Sequence, residues 1–285
     1  LTAVSNLFGG SVSVTGGLLR ARSDASLGVV PAALDADALT LDGGSLGNIA
    51  EALTLHPNRG VTIGAGGGWF LARMFYPTVI ASPVTGSGSV YITRQSNAVT
   101  FSNPANDYSG DTVLGADGTG YWSDVLAQGV LRLGADEVIP HGAGKGRLYF
   151  DGFKRGILDL NGKTETVNTM AVLGEFCLSN SVAQPGRLKV GADGADFSAA
   201  GEVQPGATLE KVGAGSMYFS DNGRSLGDIA VSDGALAFSQ TSALGTATVR
   251  LEGGSLSMTD TQPGLVETVG TISSANVSLT VPMTA

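Results

Sequence analysis

The chain has a single cysteine, Cys177, so no internal disulfide can form. It has two histidines, His56 and His141, far apart in sequence, so His and Cys together supply no metal-ligand cluster. Charged residues make up 14%, against a usual share of about 25%. The formal charge is -9, and the largest basic group is the pair Lys154-Arg155. That balance excludes a binder of nucleic-acid phosphates, which needs a basic footprint. No apolar run approaches the roughly 20 residues of a spanning helix, so membrane insertion by this chain is not expected. Prolines number 10 and glycine shows no strict three-residue period, which excludes collagen. The chain opens at Leu1 with no methionine, basic segment or apolar leader, the expectation for a mature product or an excised piece.

Glycine, in contrast, is abundant at 43 residues, and hydrophobic residues reach 42%. The apolar content is too high for a disordered chain. Each interior glycine costs a helix about 1 kcal/mol, so the mixture favours an all-β protein with many turns. Apolar and polar residues alternate at Val12/Val14, Leu39/Leu41, Leu131/Leu133, Leu158/Leu160 and Ile229/Val231, the period of half-buried strands. Residues 33–38 allow one short helical turn at most.

The chain also repeats itself. Segments 11–21 (SVSVTGGLLRA), 128–138 (QGVLRLGADEV) and 228–238 (DIAVSDGALAF) each read as a strand followed by a glycine-bearing or polar turn. Segment 39–46 (LTLDGGSL) recurs as 249–256 (VRLEGGSL), and 165–169 (ETVNT) as 267–271 (ETVGT). These spacings suggest three degenerate super-repeats, roughly 1–88, 89–190 and 191–285, within one domain over 1–285. A sandwich needs no such periodicity, whereas a parallel β-helix does, because one coil cannot bury its own inner face. At about 20–25 residues per coil the chain should hold about 12 coils in a rod about 55–65 Å long.

Four segments carry a family resemblance. Residues 209–219 (LEKVGAGSMYF), 102–112 (SNPANDYSGDT), 156–162 (GILDLNG, followed by Thr166-Val167) and 58–68 (NRGVTIGAGGG) resemble the motifs of autotransporter-associated β-strand repeats. The resemblance implies a right-handed parallel β-helix displayed outside a bacterial cell as part of a passenger region. The chain lacks the translocator barrel of the complete form. Neither end shows a polar capping helix, and open solenoid ends predict head-to-tail contact with another copy or with further chain.

Catalytic motifs mostly yield to turn readings. Residues 43–47 (GGSLG) match a nucleophile elbow around Ser45 but lack the helix that must follow. Residues 191–196 (GADGAD) form one copy of a calcium-type repeat that works only in stacks. Residues 64–68 lack the strand–helix setting of a dinucleotide site, and 142–146 (GAGKG) lack the Ser/Thr of a phosphate loop. Asp136, Glu137, His141, Asp151 and Asp159 would form a polysaccharide hydrolase or lyase site only if they met on one face, with Lys154 or Arg155 as base in a lyase. Cys177 and Trp69-Phe70 are expected in the core. The insertion around 117–124 is the candidate recognition loop, with Asp117, Tyr121, Trp122 and Asp124 offering aromatic and acidic contacts to a sugar or protein. The expectation is a non-catalytic, cofactor-free extracellular protein of the bacterial surface. It would act as a scaffold segment or fibre subunit, alternatively as an adhesin for glycan or partner protein, and in a third reading as a polysaccharide-active enzyme.

Overall fold

The computed structural model describes residues 1–258 apart from 4, 74, 94–96, 117–127, 152–154, 175, 221–226 and 239–247, and beyond these the strands Thr271–Ser274 and Leu279–Thr280. It is a parallel β-solenoid. Four sheets run along it. Sheet 1 stacks Val12–Val14, Asp35–Leu41, Arg59–Ile63, Val84–Gly86 and Asp107–Tyr108. Sheet 2 stacks Leu18–Ala21, Gly44–Asn48, Gly68–Leu71, Val90–Thr93, Thr112–Ala116, Leu148–Phe150 and Met170–Val172. Sheet 3 has 11 strands, from Leu53–Leu55 through Thr78–Ile80, Ala98–Phe101, Gly129–Leu133, Gly156–Asp159, Phe176–Ser179 and Phe197–Val203 to Leu279–Thr280. Sheet 4 has six, from Thr164–Val167 through Gly186–Val190, Ala207–Lys211, Asp228–Val231 and Thr248–Leu251 to Thr271–Ser274.

Each strand pairs in parallel with its counterpart one turn later. Val90 lies beside Thr112, Leu148 beside Met170, and Asp228 beside Thr248. The turn length is therefore close to the coil expected from sequence. Two steps are longer, Val99 to Leu131 and Thr112 to Leu148, because the insertion falls between them. Among the described residues the longest stack has 11 strands, and the coil count differs from the expected figure of about 12 while the fold matches. Residues 33–38 form no helical turn, within the limit of one read from the sequence. They feed the strand Asp35–Leu41, and the described helical turn is instead Asp24–Leu27.

The alternating residues pack as foreseen. Leu39, Leu41, Leu131, Leu133, Leu158, Leu160, Ile229 and Val231 are buried in one continuous core. Val12 and Val14 only lean on it, since no described coil covers them from the other side. Phenylalanines of successive turns meet along the axis. Phe70 meets Phe101 edge-on at 5.7 Å, and Phe176 lies 5.5 Å from Phe150 and 6.2 Å from Phe219. Phe176 thus joins three turns, and its loss would leave a void that a stacked fold cannot close. Phe176→Ala is expected to lower the unfolding free energy by about 3–5 kcal/mol, measured by denaturant titration. A cost under about 1 kcal/mol would mean that the neighbouring turns repack.

Candidate functional site

The corner between sheets 2 and 3 carries the irregular chemistry. Here each turn leaves a sheet 2 strand and enters a sheet 3 strand, and the insertion departs after Ala116 and returns before Gly129. Its two feet are pinched together. A Cβ on Gly129 would stand 2.5 Å from the Gly115 nitrogen and 2.8 Å from its Cα, so only glycine allows this approach. Leu114, Ala116 and Leu131 around the feet are buried. The insertion is therefore set on a rigid wall. Asp117, Tyr121, Trp122 and Asp124 themselves lie outside the described residues. The same corner exposes Phe75 (76%) one way along the axis and Leu173 (72%) the other.

The acidic candidates are held on three different sides. Asp136 accepts the Thr164 N–H at 2.7 Å. Glu137, in a left-handed conformation at φ 52°, accepts the Thr166 N–H and hydroxyl at 2.9 Å each. His141 Nδ1 lies 3.7 Å from the Glu137 carboxylate. Asp159 is on sheet 3, paired with Arg132 at 2.7 Å and accepting the N–H groups of Asn161 and Ser181. Asp151 follows the sheet 2 strand Leu148–Phe150, a different side again. The fold uses these carboxylates to cap turns, and it does not converge Asp136, Asp151 and Asp159 on one face. Asp193 and Asp196 likewise accept N–H groups, from Thr169 and Ser216. Ser45 is buried on the strand Gly44–Asn48, which continues into further solenoid rather than a helix. His56 sits in another turn, where its Nδ1 accepts the Asn58 N–H. Among the described residues no group of three His, Cys, Asp or Glu is placed to hold a metal ion. No described helix is long and apolar enough to cross a membrane.

Cys177 is buried, as expected, on the strand Phe176–Ser179. Its register partners are Ile157 and Glu202, and the Arg155–Glu202 ion pair lies beside it. Burial pushes its thiol up to about 11, with the Arg155 guanidinium pulling the other way. The expectation that Trp69 lies in the core needs correction. Phe70 takes the inward position, and Trp69 stands half-buried on the outside, stacked on Tyr91 with centroids 4.4 Å apart and planes 8° from parallel. The separation of these rings by one turn of sequence was the available signal, and it acquires meaning only once the register is known.

Composition and spacing did not single out Glu165. It faces inward in register with Leu188, fully buried, and its oxygens accept the N–H groups of Val138 at 2.9 Å and Ile139 at 3.0 Å. Burial pushes its carboxyl well above the ordinary value of 4.5. The two N–H donors oppose that shift, and the charges of Glu137 and Asp136 add to it. A carboxyl with a raised folded pKa contributes stability that is full below 4.5 and lost as pH rises through the folded value. Acidification from neutral toward pH 4.5 is therefore expected to favour the fold at this residue. Thermal midpoints of the native chain and of Glu165→Gln across that window test this. The native chain should gain on acidification relative to the variant, and parallel slopes would reject the assignment.

The β-solenoid is consistent with an autotransporter passenger-type protein. The comparisons agree with this class. Over 132 residues, 46% of its length, the chain is 34% identical to the adhesin BmaC autotransporter of Brucella suis biovar 1 (strain 1330), and it spans 3% of that protein. No family model and no solved structure matches the chain.

Proposed function

We propose that the chain is a non-catalytic scaffold segment of a bacterial surface protein, and that it presents an adhesive loop to a partner outside the cell. The observation that carries this reading is the anchored insertion. The segment with the sequence DGTGYWSD lies between Gly115 and Gly129, whose close approach on the stacked wall fixes where the insertion leaves and returns, and inserted segments on a regular scaffold often carry recognition residues. The likeness to an autotransporter adhesin supports both the surface location and the binding role. Tyr121 and Trp122 are the proposed anchors, flanked by Asp117 and Asp124. Aromatic anchors of this kind dominate recognition energies.

A second reading concerns assembly along the axis. The strand Val12–Val14 pairs with Asp35–Leu41 on one edge, and Leu7 nearby is 90% exposed. We propose that this edge takes another coil in register, from a second copy or from further chain, which gives a rod or an open filament. Neither reading uses a cofactor, a nucleic acid or insertion into a membrane.

Beads coated with the chain should adhere to a responsive cell surface, and Trp122→Ala should reduce adhesion about tenfold or more with unchanged circular dichroism. Undiminished adhesion would remove the loop from the function. Electron microscopy of the same material reads the axial proposal. Fibres lengthening with concentration support it, and single rods at every concentration reject it.

A further inference from the structure

The inner wall of sheet 4 carries a basic residue among aliphatic ones. In register along it stand Val167, Val190, Lys211, Val231 and Leu251, one from each successive turn. The four aliphatic residues belong to the core, and Lys211 between them is 0% exposed. It is the last residue of the strand Ala207–Lys211, so its stem lies against the wall while its amine reaches the corner that follows. There Nζ donates to the carbonyls of Val212 and Gly213, at 2.6 Å each.

The corner is shaped around that amine. A Cβ on Gly191, in the turn before, would stand 3.2 Å from Nζ, and a Cβ on Gly234, in the turn after, would stand 2.9 Å from it. Both glycines have positive φ, at 107° and 70°, so each position needs glycine for its backbone as well as for the space. The amine is therefore enclosed by the backbone of three turns. Asp193 and Asp196 of the segment GADGAD and Asp233 of the turn after lie near enough for their charges to act on it. Burial pulls the Lys211 amine below its ordinary value of 10.5, and these three charges oppose that shift. Each carboxylate is already committed to a main-chain N–H. Asp193 accepts from Thr169 at 3.3 Å, Asp196 from Ser216 at 2.7 Å and Asp233 from Gly234 at 2.8 Å.

We propose that Lys211 supplies a built-in cation to this corner, an ammonium that fastens three successive turns and does there what a bound metal ion does in other glycine–aspartate turns. The inference is independent of the loop and axial readings. Two features select an ammonium over calcium. Calcium takes about six to eight oxygen ligands, with carboxylates among them, whereas the direct partners here are two neutral carbonyls. The three carboxylates are turned to the backbone, so they offset a charge at the corner rather than ligate one. The same arrangement accounts for the segment LEKVGAG, whose lysine reaches the carbonyls that follow it beneath glycines of the neighbouring turns. A chain without the lysine side chain keeps the carbonyls and the three charges, and these would accept a small monovalent cation such as ammonium.

Thermal unfolding of Lys211→Met and Lys211→Ala in the full 285-residue chain tests the proposal. Lys211→Met keeps an apolar stem and removes the donors, and its midpoint should fall by about 5–10 °C. Lys211→Ala should fall at least as far. Ammonium or methylammonium chloride should restore a large part of that loss, while sodium chloride of equal ionic strength and calcium chloride should not. A chelator should leave the native midpoint where it is. Nitrogen-15 lysine spectra of the native chain keep the test alive if a variant fails to fold. They should show an ammonium N–H signal at neutral pH that is protected from exchange with water. Four results would overturn the inference: a Lys211→Met midpoint equal to the native one, a Lys211→Ala chain no more stable in ammonium than in sodium or calcium, a native midpoint lowered by chelator, or a native chain with no protected ammonium signal.

Discussion

Every feature of this molecule depends on the backbone hydrogen-bond ladder between one turn and the next. A single turn of about 20 residues can satisfy neither its N–H and C=O groups nor its apolar side chains, so it has no stability alone. Stacked in parallel register, the same turn gives its main-chain groups to the neighbours on either side and closes a dry interior. The core follows from that register. Leu131 lies over Leu158 and Leu158 over Leu178, so like residues meet like along the axis. Phe70, Phe101, Phe150, Phe176 and Phe219 continue the same logic with larger side chains.

Corners are where the ladder is interrupted, and polar side chains take over there. Asn106 accepts the Val84 N–H and donates to the Val138 carbonyl. Asn48 accepts from Arg73 and donates to the Tyr76 carbonyl. Arg59, fully buried, pairs with Asp24 at 2.9 Å and donates to the carbonyls of Leu27 and Gly28, fastening the first turn to the third. A buried charge is tolerated when paired and hydrogen-bonded in this way. The carboxylates that look catalytic in a list of residues, Asp136, Glu137 and Asp159, belong to the same set of corner fasteners. A rigid wall with satisfied corners can carry an insertion at little cost, since the closure entropy of a loop grows slowly with its length.

Much of this was legible in the residues. Alternation at Leu39/Leu41 and Ile229/Val231 marked inward positions, and the recurrence of DGGSL as EGGSL marked the same strand–corner–strand unit in distant turns. Local rules suffice there because strand period and turn chemistry are local. The site was less legible. Trp69-Phe70 reads as one apolar pair, but adjacent residues on a strand face opposite ways, and only Phe70 enters the core. Cys177 sits in an apolar run, yet besides Ile157 its neighbours include an ion pair contributed by residues 155 and 202, from the turns before and after its own.

The sequence by itself determined the fold class, the approximate turn length and the identity of most core residues, because these depend on period two, glycine turns and repetition. Only the tertiary structure decided which residues of different turns stand side by side. Register is set by the summed fit of whole turns, so the Trp69–Tyr91 stack, the Lys211 ammonium enclosed by three turns and the buried Glu165 carboxyl exist only once the turns are stacked.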